Sequence, residues 1–195
     1  MPYSREHKAA VRRRIVECAR VVFNRVGFAE ATIEQIMAEA GLTRGGFYNH
    51  FRTKEELYAE AVASFLGGRG AEWRDAAGVK PDGGGPATVR AMIDSYLSDA
   101  HLSELEGQCP MIALPSDVAR AAPQVRASYE QLLRAMTGLF EKNLPDDTRD
   151  PARMSLVLAS LCVGGMILSR TIDDEDLAAD IRMAARDFAL TASQA

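Results

Sequence analysis

Apolar residues recur at helical spacing along almost the whole chain, and no stretch alternates with the two-residue period of a half-buried strand. That pattern confines the fold to the all-α class. Val11, Ile15, Cys18, Ala19, Val22 and Phe23 form one apolar stripe, closed by Gly27. Ile33, Ile36, Met37 and Ala40 form a second, closed by Gly41; Thr32 and Gln35 stand at capping-box spacing and mark its start. "LTRGGFYNHF" (42–51) reads as a third, very short helix with Thr43 as its N-cap. Thr53 with Glu56 makes another capping box and opens a fourth helix through Leu57, Ala61 and Phe65.

Further on, "GGRG" at 67–70 ends or weakens that helix ahead of Trp73, and "KPDGGGP" at 80–86 reads as a plain loop. Val89, Met92, Ile93, Tyr96 and Leu97 define the next amphipathic helix. After "GQCP" comes a shorter one broken near Pro115, then a long one through Val125, Leu132, Leu133, Met136 and Phe140. Asp150-Pro151 supplies an N-cap and first-turn proline to the uncharged run 154–169, which at 16 residues is too short to span a bilayer and reads as a buried helix. The "DDED" run at 173–176 suits the N-terminus of a last helix carrying Leu177, Ile181, Ala185 and Phe188. About nine helices are expected, with no repeats and no low-complexity tract.

Charge divides the chain unevenly. Residues 1–54 hold 10 basic and 5 acidic side chains, the remainder 13 and 22, so an N-terminal quarter at +5 is joined to a −9 remainder within a net charge of −4. The N-terminal quarter is thus the candidate for a polyanionic partner. Three widely spaced cysteines, Cys18, Cys109 and Cys162, form no disulfide framework, and "MPYSREHKAAVRRR" lacks the apolar core of a signal peptide. Both features lead to the expectation of a reducing, cytoplasmic setting without a membrane.

Two helices joined by "AGLT", with glycine at the turn, have the form of a helix-turn-helix. Arg44 and Lys54 each fall at the first position of a helix, where the macrodipole disfavours a cation unless an anion binds there as well. Gly45 and Gly46 each cost about 1 kcal/mol in a helix interior. Bare of side chains, they let the backbone press into a DNA major groove. Thr43, Arg44, Tyr48, Asn49 and His50 then reach bases or phosphates, while Phe47 and Phe51, four apart, face inward.

The segment "ATIEQIMAEAGLTRGGFYNHFRTKEELYAEAV" resembles the DNA-binding domain of the TetR family of bacterial transcriptional regulators, with "GF" at Gly27-Phe28 in keeping. The resemblance is specific over residues 12–62; beyond them only length and helical layout match. It implies a three-helix DNA-binding domain at 1–53 and a helical effector-binding and dimerisation domain at 54–195, closed into a homodimer by the last two long helices. It implies a ligand-responsive regulator, a repressor released from a palindromic double-stranded DNA operator by a small molecule, although some relatives activate; the soft, bulky side chains of the remainder make that molecule apolar, and no cofactor or metal is expected. The contact residues it implies are Thr43, Arg44, Gly45, Tyr48, His50 and Lys54, with Thr32 near a phosphate. Gly46 departs from the larger residue many members carry, so one base contact is missing.

In the remainder, Trp73, Met92, Tyr96, Met111, Tyr129, Met136, Phe140 and Met166 can line an adaptable pocket, although the same residues serve equally as plain core. Leu161, Gly164, Gly165, Leu168, Ile181 and Phe188 are the candidate dimer contacts, the glycines allowing a partner helix to approach. His101, near a helix end, reads as a surface or capping residue. Cys18 and Cys162 lie on apolar stripes. Cys109 precedes Pro110 at a helix start, which makes it a candidate ligand contact and opens an alternative in which it senses oxidants or electrophiles. Rivals of another class are an all-α enzyme and a helical interaction module. Neither gives the charge division or Arg44 a purpose, and no paired carboxylates, metal-ligand spacing or phosphate loop support the enzyme.

Overall fold

The computed structural model describes residues 5–194 and is helical throughout, with no strand among them. The helices are α1 (Arg5–Glu30), α2 (Ile33–Glu39), a six-residue 3-10 turn (Arg44–Asn49), α3 (Lys54–Gly67), α4 (Arg69–Ala76), α5 (Pro86–Tyr96), α6 (Asp99–Ser103), α7 (Pro110–Ala113), α8 (Pro115–Arg120), α9 (Pro123–Asn143), α10 (Pro151–Thr171) and α11 (Glu175–Ala192). The count exceeds nine because short helices follow Gly68 and Ser98 and because Pro115 separates α7 from α8. Proline cannot donate a backbone hydrogen bond, so α7 and α8 restart with it, while α6 restarts under the Ser98 cap.

Two compact units result. One holds the chain up to Gly67 together with Leu105–Glu130; the other holds Gly68–Glu104 and everything from Gln131. α3 belongs to the first because it packs along α1: Tyr58 stacks on Phe28 at 4.7 Å and meets Phe23 at 4.8 Å. The core of this unit is made by Ile15, Phe23, Ile36, Met37, Phe47, Phe51, Leu57 and Tyr58, all fully buried.

α1 is interrupted at Gly27, whose φ of 78° is open to glycine at little cost. A side chain there would also meet Asp117 at 2.9 Å, and that carboxylate accepts the backbone N–H of Phe28 at 2.8 Å. Lower on the same helix, Arg20 and Asn24 donate to the carbonyls of Glu106 and Gln108. These buried polar contacts hold Leu105–Glu130 to the N-terminal helices.

In the second unit α10 and α11 are the most extensively packed pair, with α5 and α6 against them. α10 runs for 21 residues, longer than the uncharged run, and by length and composition it is apolar enough to cross a membrane. It nonetheless buries Ser155, Leu158, Ala159, Cys162, Gly165, Met166 and Ser169 in one face, as a core helix does. The 80–86 loop is less plain than its composition suggests. The buried Asn143 accepts from Gly84 N and Gly85 N and donates to the carbonyls of Pro81 and Leu139.

Candidate nucleic-acid interface

The turn into the interface is built as its residues require. Thr32 Oγ1 accepts from Gln35 N at 3.1 Å and Gln35 Oε1 from Thr32 N at 2.9 Å, completing the capping box. α2 ends in a Schellman motif, with Gly41 at φ 64° and Leu42 N donating to Met37 O at 2.8 Å. Thr43 is extended and precedes the 3-10 turn, but its hydroxyl makes no cap hydrogen bond and the residue stays exposed. At the next start, Thr53 Oγ1 caps Glu56 N, whereas the Glu56 carboxylate reaches Arg52 N rather than Thr53 N. That contact holds Glu56 below its usual carboxylate range, helped by Arg12.

Phe47 and Phe51 are fully buried, as their spacing requires, and fix the underside of the turn. Its outer side carries Thr43, Arg44, Gly45, Tyr48 and Asn49, all exposed, with Tyr48 60% exposed and edge-on to Phe47. Neither glycine of the pair is required by the fold. Both have ordinary φ, a Cβ at Gly45 meets nothing within 4 Å, and one at Gly46 makes only ordinary contact with Met37 Cε at 3.5 Å.

Arg44 is exposed and ion-paired with Glu34 in the first turn of α2 at 2.5 Å. An exposed pair of this kind contributes under about 1 kcal/mol and yields readily to a phosphate. His50 is half-buried: its Nδ1 is shut off without a hydrogen-bond partner, and burial, then Lys8 and Arg12, push its pKa down.

Two basic residues behave differently from expectation. Lys54 does occupy the first position of its helix, but its ammonium turns back to donate to the carbonyls of Phe28 and Ala31, at 2.7 and 2.9 Å, over the Phe28 ring. The cation therefore completes the carboxyl end of α1, which already accounts for its placement. Thr32, the phosphate candidate, has its hydroxyl engaged in the capping box. Arg12 was not singled out from the sequence, yet it joins three elements. It donates to the carbonyl of His50, pairs with Glu56 and Glu60 of α3, and covers the Phe51 ring at 3.9 Å. Its signal, two acids one turn apart on a facing helix, is legible only once the helices are paired.

The pocket candidates do not gather in one unit. Trp73, Met92, Tyr96, Met136, Phe140 and Met166 belong to the second, Cys109, Met111 and Tyr129 to the first. Trp73, Tyr96 and His101 form a ring cluster in which His101 lies tilted against Trp73, centroids 4.9 Å apart, and its Nδ1 meets Tyr96 O at 2.8 Å. His101 is therefore buried, not a surface residue, because the short α6 turns it inward. Cys109 and Cys162 are buried and Cys18 is half-buried. Tyr129 donates to Met111 O, and burial raises its phenol to about 12.

Among the dimer candidates, Leu168 and Phe188 are exposed, and Leu161, Gly164 and Ile181 half-buried. Gly165 is buried within its own chain, where a Cβ would press on Ala185 at 3.0 Å and Leu97 at 3.2 Å. Its close approach is to α11 and α5, which corrects its assignment to a partner helix.

Comparison with known proteins bears on this interface directly. Residues 15–61 match the model of "Bacterial regulatory proteins, tetR family". The HTH-type transcriptional regulator YfiR of Bacillus subtilis is 35% identical over 63 residues, 32% of this chain and 31% of that protein. The HTH-type transcriptional repressor Rv1474c of Mycobacterium tuberculosis is 38% identical over 55 residues, 28% of this chain and 29% of that protein. The chain thus spans under a third of the length of these relatives. Solved structures resemble the whole fold: a TetR-family regulator from Cytophaga hutchinsonii at TM-score 0.77, with 16% identity and 98% of each chain covered. Reduced NemR of E. coli follows at 0.75, with 16% identity, 92% of this chain and 95% of that one. Residues 15–61 thus carry the helix-turn-helix of the tetR family of bacterial regulatory proteins, on a fold shared along the whole chain with solved TetR-family structures.

Proposed function

We propose that the protein is a cytoplasmic, homodimeric DNA-binding transcriptional regulator, a repressor released from a two-fold symmetric operator when a small molecule binds its helical effector domain. The observation that carries the reading is the bare Gly45-Gly46 edge. Neither backbone conformation nor internal packing calls for glycine there, and at Gly45 the vacancy faces outward beside Arg44, while at Gly46 it lies over Met37. An approaching duplex uses that space. The backbone of the turn enters the major groove, Arg44 exchanges Glu34 for a phosphate or base edge, and Tyr48 and Asn49 reach alongside. With Gly46 bare, shape readout carries a larger share of specificity. Release is a population shift in which the effector favours a spacing of the two DNA-binding domains that misfits the operator. The division at residue 53 between binding and effector functions belongs to the same reading.

The test is selection from a random duplex library. Enrichment of a two-fold symmetric motif, with half-sites about 34–36 Å apart or a multiple of that, is expected. Failure to enrich any duplex at low salt would sink the reading. Gly45→Ala separates function from folding: it raises stability by about 0.5–1 kcal/mol while weakening operator binding. A Gly45→Ala protein that binds as well as wild type removes the carrying observation.

A further inference from the structure

Three buried or half-buried arginines of the second unit are held by acids. Buried Arg182 of α11 pairs with Asp99 of α6, Arg186 of α11 with Asp94 of α5 at 2.8 Å, and Arg69 of α4 with Glu72 and Glu104. Arg170, in the last turn of α10, is half-buried and has no such acid. Its Nη1 is closed off from solvent, and that nitrogen meets no acceptor. α10 packs on α5, α6 and α11. The acids of α5 and α6 are Asp94 and Asp99, both already engaged. On α11, Asp187 lies beside Arg186, and Glu175, Asp176 and Asp180 are exposed. Between the helices, Asp174 caps Leu177 N and Asp173 is exposed. Burial lowers the guanidinium's pKa, and no carboxylate offsets it.

Position along the helix sets Arg170 at the edge of the buried face of α10, with exposed Leu156 about 40° away on its other side, so an acid on a second copy of the chain is the alternative the test must separate. At about 100° per residue, Arg170 stands about 40° from Met166 and about 20° from Ala159, both in the buried face of α10. It stands about 160° from exposed Leu168 and about 120° from Gly164, on the outward face. A half-closed guanidinium without an acceptor is a costly arrangement in a finished core and a useful one in a receptor.

We infer that Arg170 anchors a carboxylate group on the small-molecule effector, which is then an amphipathic acid rather than a purely apolar molecule. The inference rests on the effector role proposed above for the helical domain. The planar fork of arginine matches a carboxylate with two parallel N–H···O bonds, and one of its edges is already shielded from water. The apolar part of such an acid would lie against Met166, one turn before Arg170 on the buried side of α10.

The test compares wild type with Arg170→Met in thermal unfolding, using octanoate and benzoate as probes against octanol and benzamide at matched ionic strength. At least one acid should raise the wild-type Tm dose-dependently by about 4 °C or more, with its uncharged analogue inert. Arg170→Met, relieved of an unpaired cation, should unfold no lower than wild type without ligand and lose the response. Should that variant fail to fold, Arg170→Lys, which keeps the charge but not the fork, should lose most of the response. The inference is overturned if neither acid outdoes chloride, if Arg170→Met responds like wild type, or if Arg170→Met falls by several degrees and loses dimer mass, which would assign Arg170 to a protein partner. DNA retardation by wild type is measured in parallel. Its absence counts against the regulator reading, while the Tm comparison alone decides the anchor.

Discussion

His101 illustrates how a residue-scale feature becomes a property of the folded state. Its ring lies between Trp73 and Tyr96, and burial lowers its pKa below the ordinary 6.5, although the Tyr96 carbonyl and Glu104 pull the other way. His50 is shifted in the same direction. Between the lowered folded value and 6.5, the unfolded chain holds a proton that the folded chain does not, so stability rises with pH in that window. Acidification from neutral pH should therefore destabilise the protein before the carboxylate range is reached, as read from urea midpoints. His101→Phe should flatten part of that slope and leave a remainder from His50; an unchanged slope would show that burial does not govern this imidazole. The cysteines order themselves by the same logic. In the folded protein Cys18 should react with a thiol reagent first, with Cys109 and Cys162 protected until unfolding. Rapid labelling of Cys109 would instead revive the oxidant-sensing alternative.

At the scale of elements, what the sequence made legible was local. Caps and stops follow from side-chain chemistry within three or four residues, and Thr32, Gly41, Asp150 and Asp174 all act as their positions predict. Contacts that bridge distant segments were not legible, because nothing in a single helix announces its partner. Lys54 reads as a misplaced cation until the end of α1 lies beneath it. Arg12 reads as one of three consecutive arginines until Glu56 and Glu60 of α3 face it. The glycine-rich loop before α5 reads as unstructured until Asn143, 59 residues away, binds both Gly84 N and Gly85 N. Asn143→Ala leaves two donors and two carbonyls without those partners in a buried setting. It should lower stability by about 2 kcal/mol, measured by denaturant unfolding, without touching any residue of the proposed DNA-binding face.

At the scale of the whole molecule, the proposed DNA role asks how one short, glycine-softened turn would bind tightly. The turn offers few side chains, and in the proposed role its affinity should fall steeply with salt because phosphate contacts dominate. Pairing two copies, as proposed, would answer this. Six of the nine exposed large apolar side chains among the described residues lie on α10 and α11: Leu156, Val157, Leu168, Leu177, Met183 and Phe188. Val157, Gly164 and Leu168 share one face of α10 by spacing, as Leu177, Ile181 and Phe188 do on α11. Apolar area of this kind marks an association surface, and two linked turns gain about 10²–10⁴-fold over one by effective concentration. Phe188→Glu, at a position 61% exposed in the single chain, should leave the helical content unchanged while halving the molar mass in solution. Operator affinity should then fall about 100-fold or more, and the symmetric motif should give way to single half-sites. If the variant stays dimeric with full affinity, the association surface lies elsewhere than on α10 and α11.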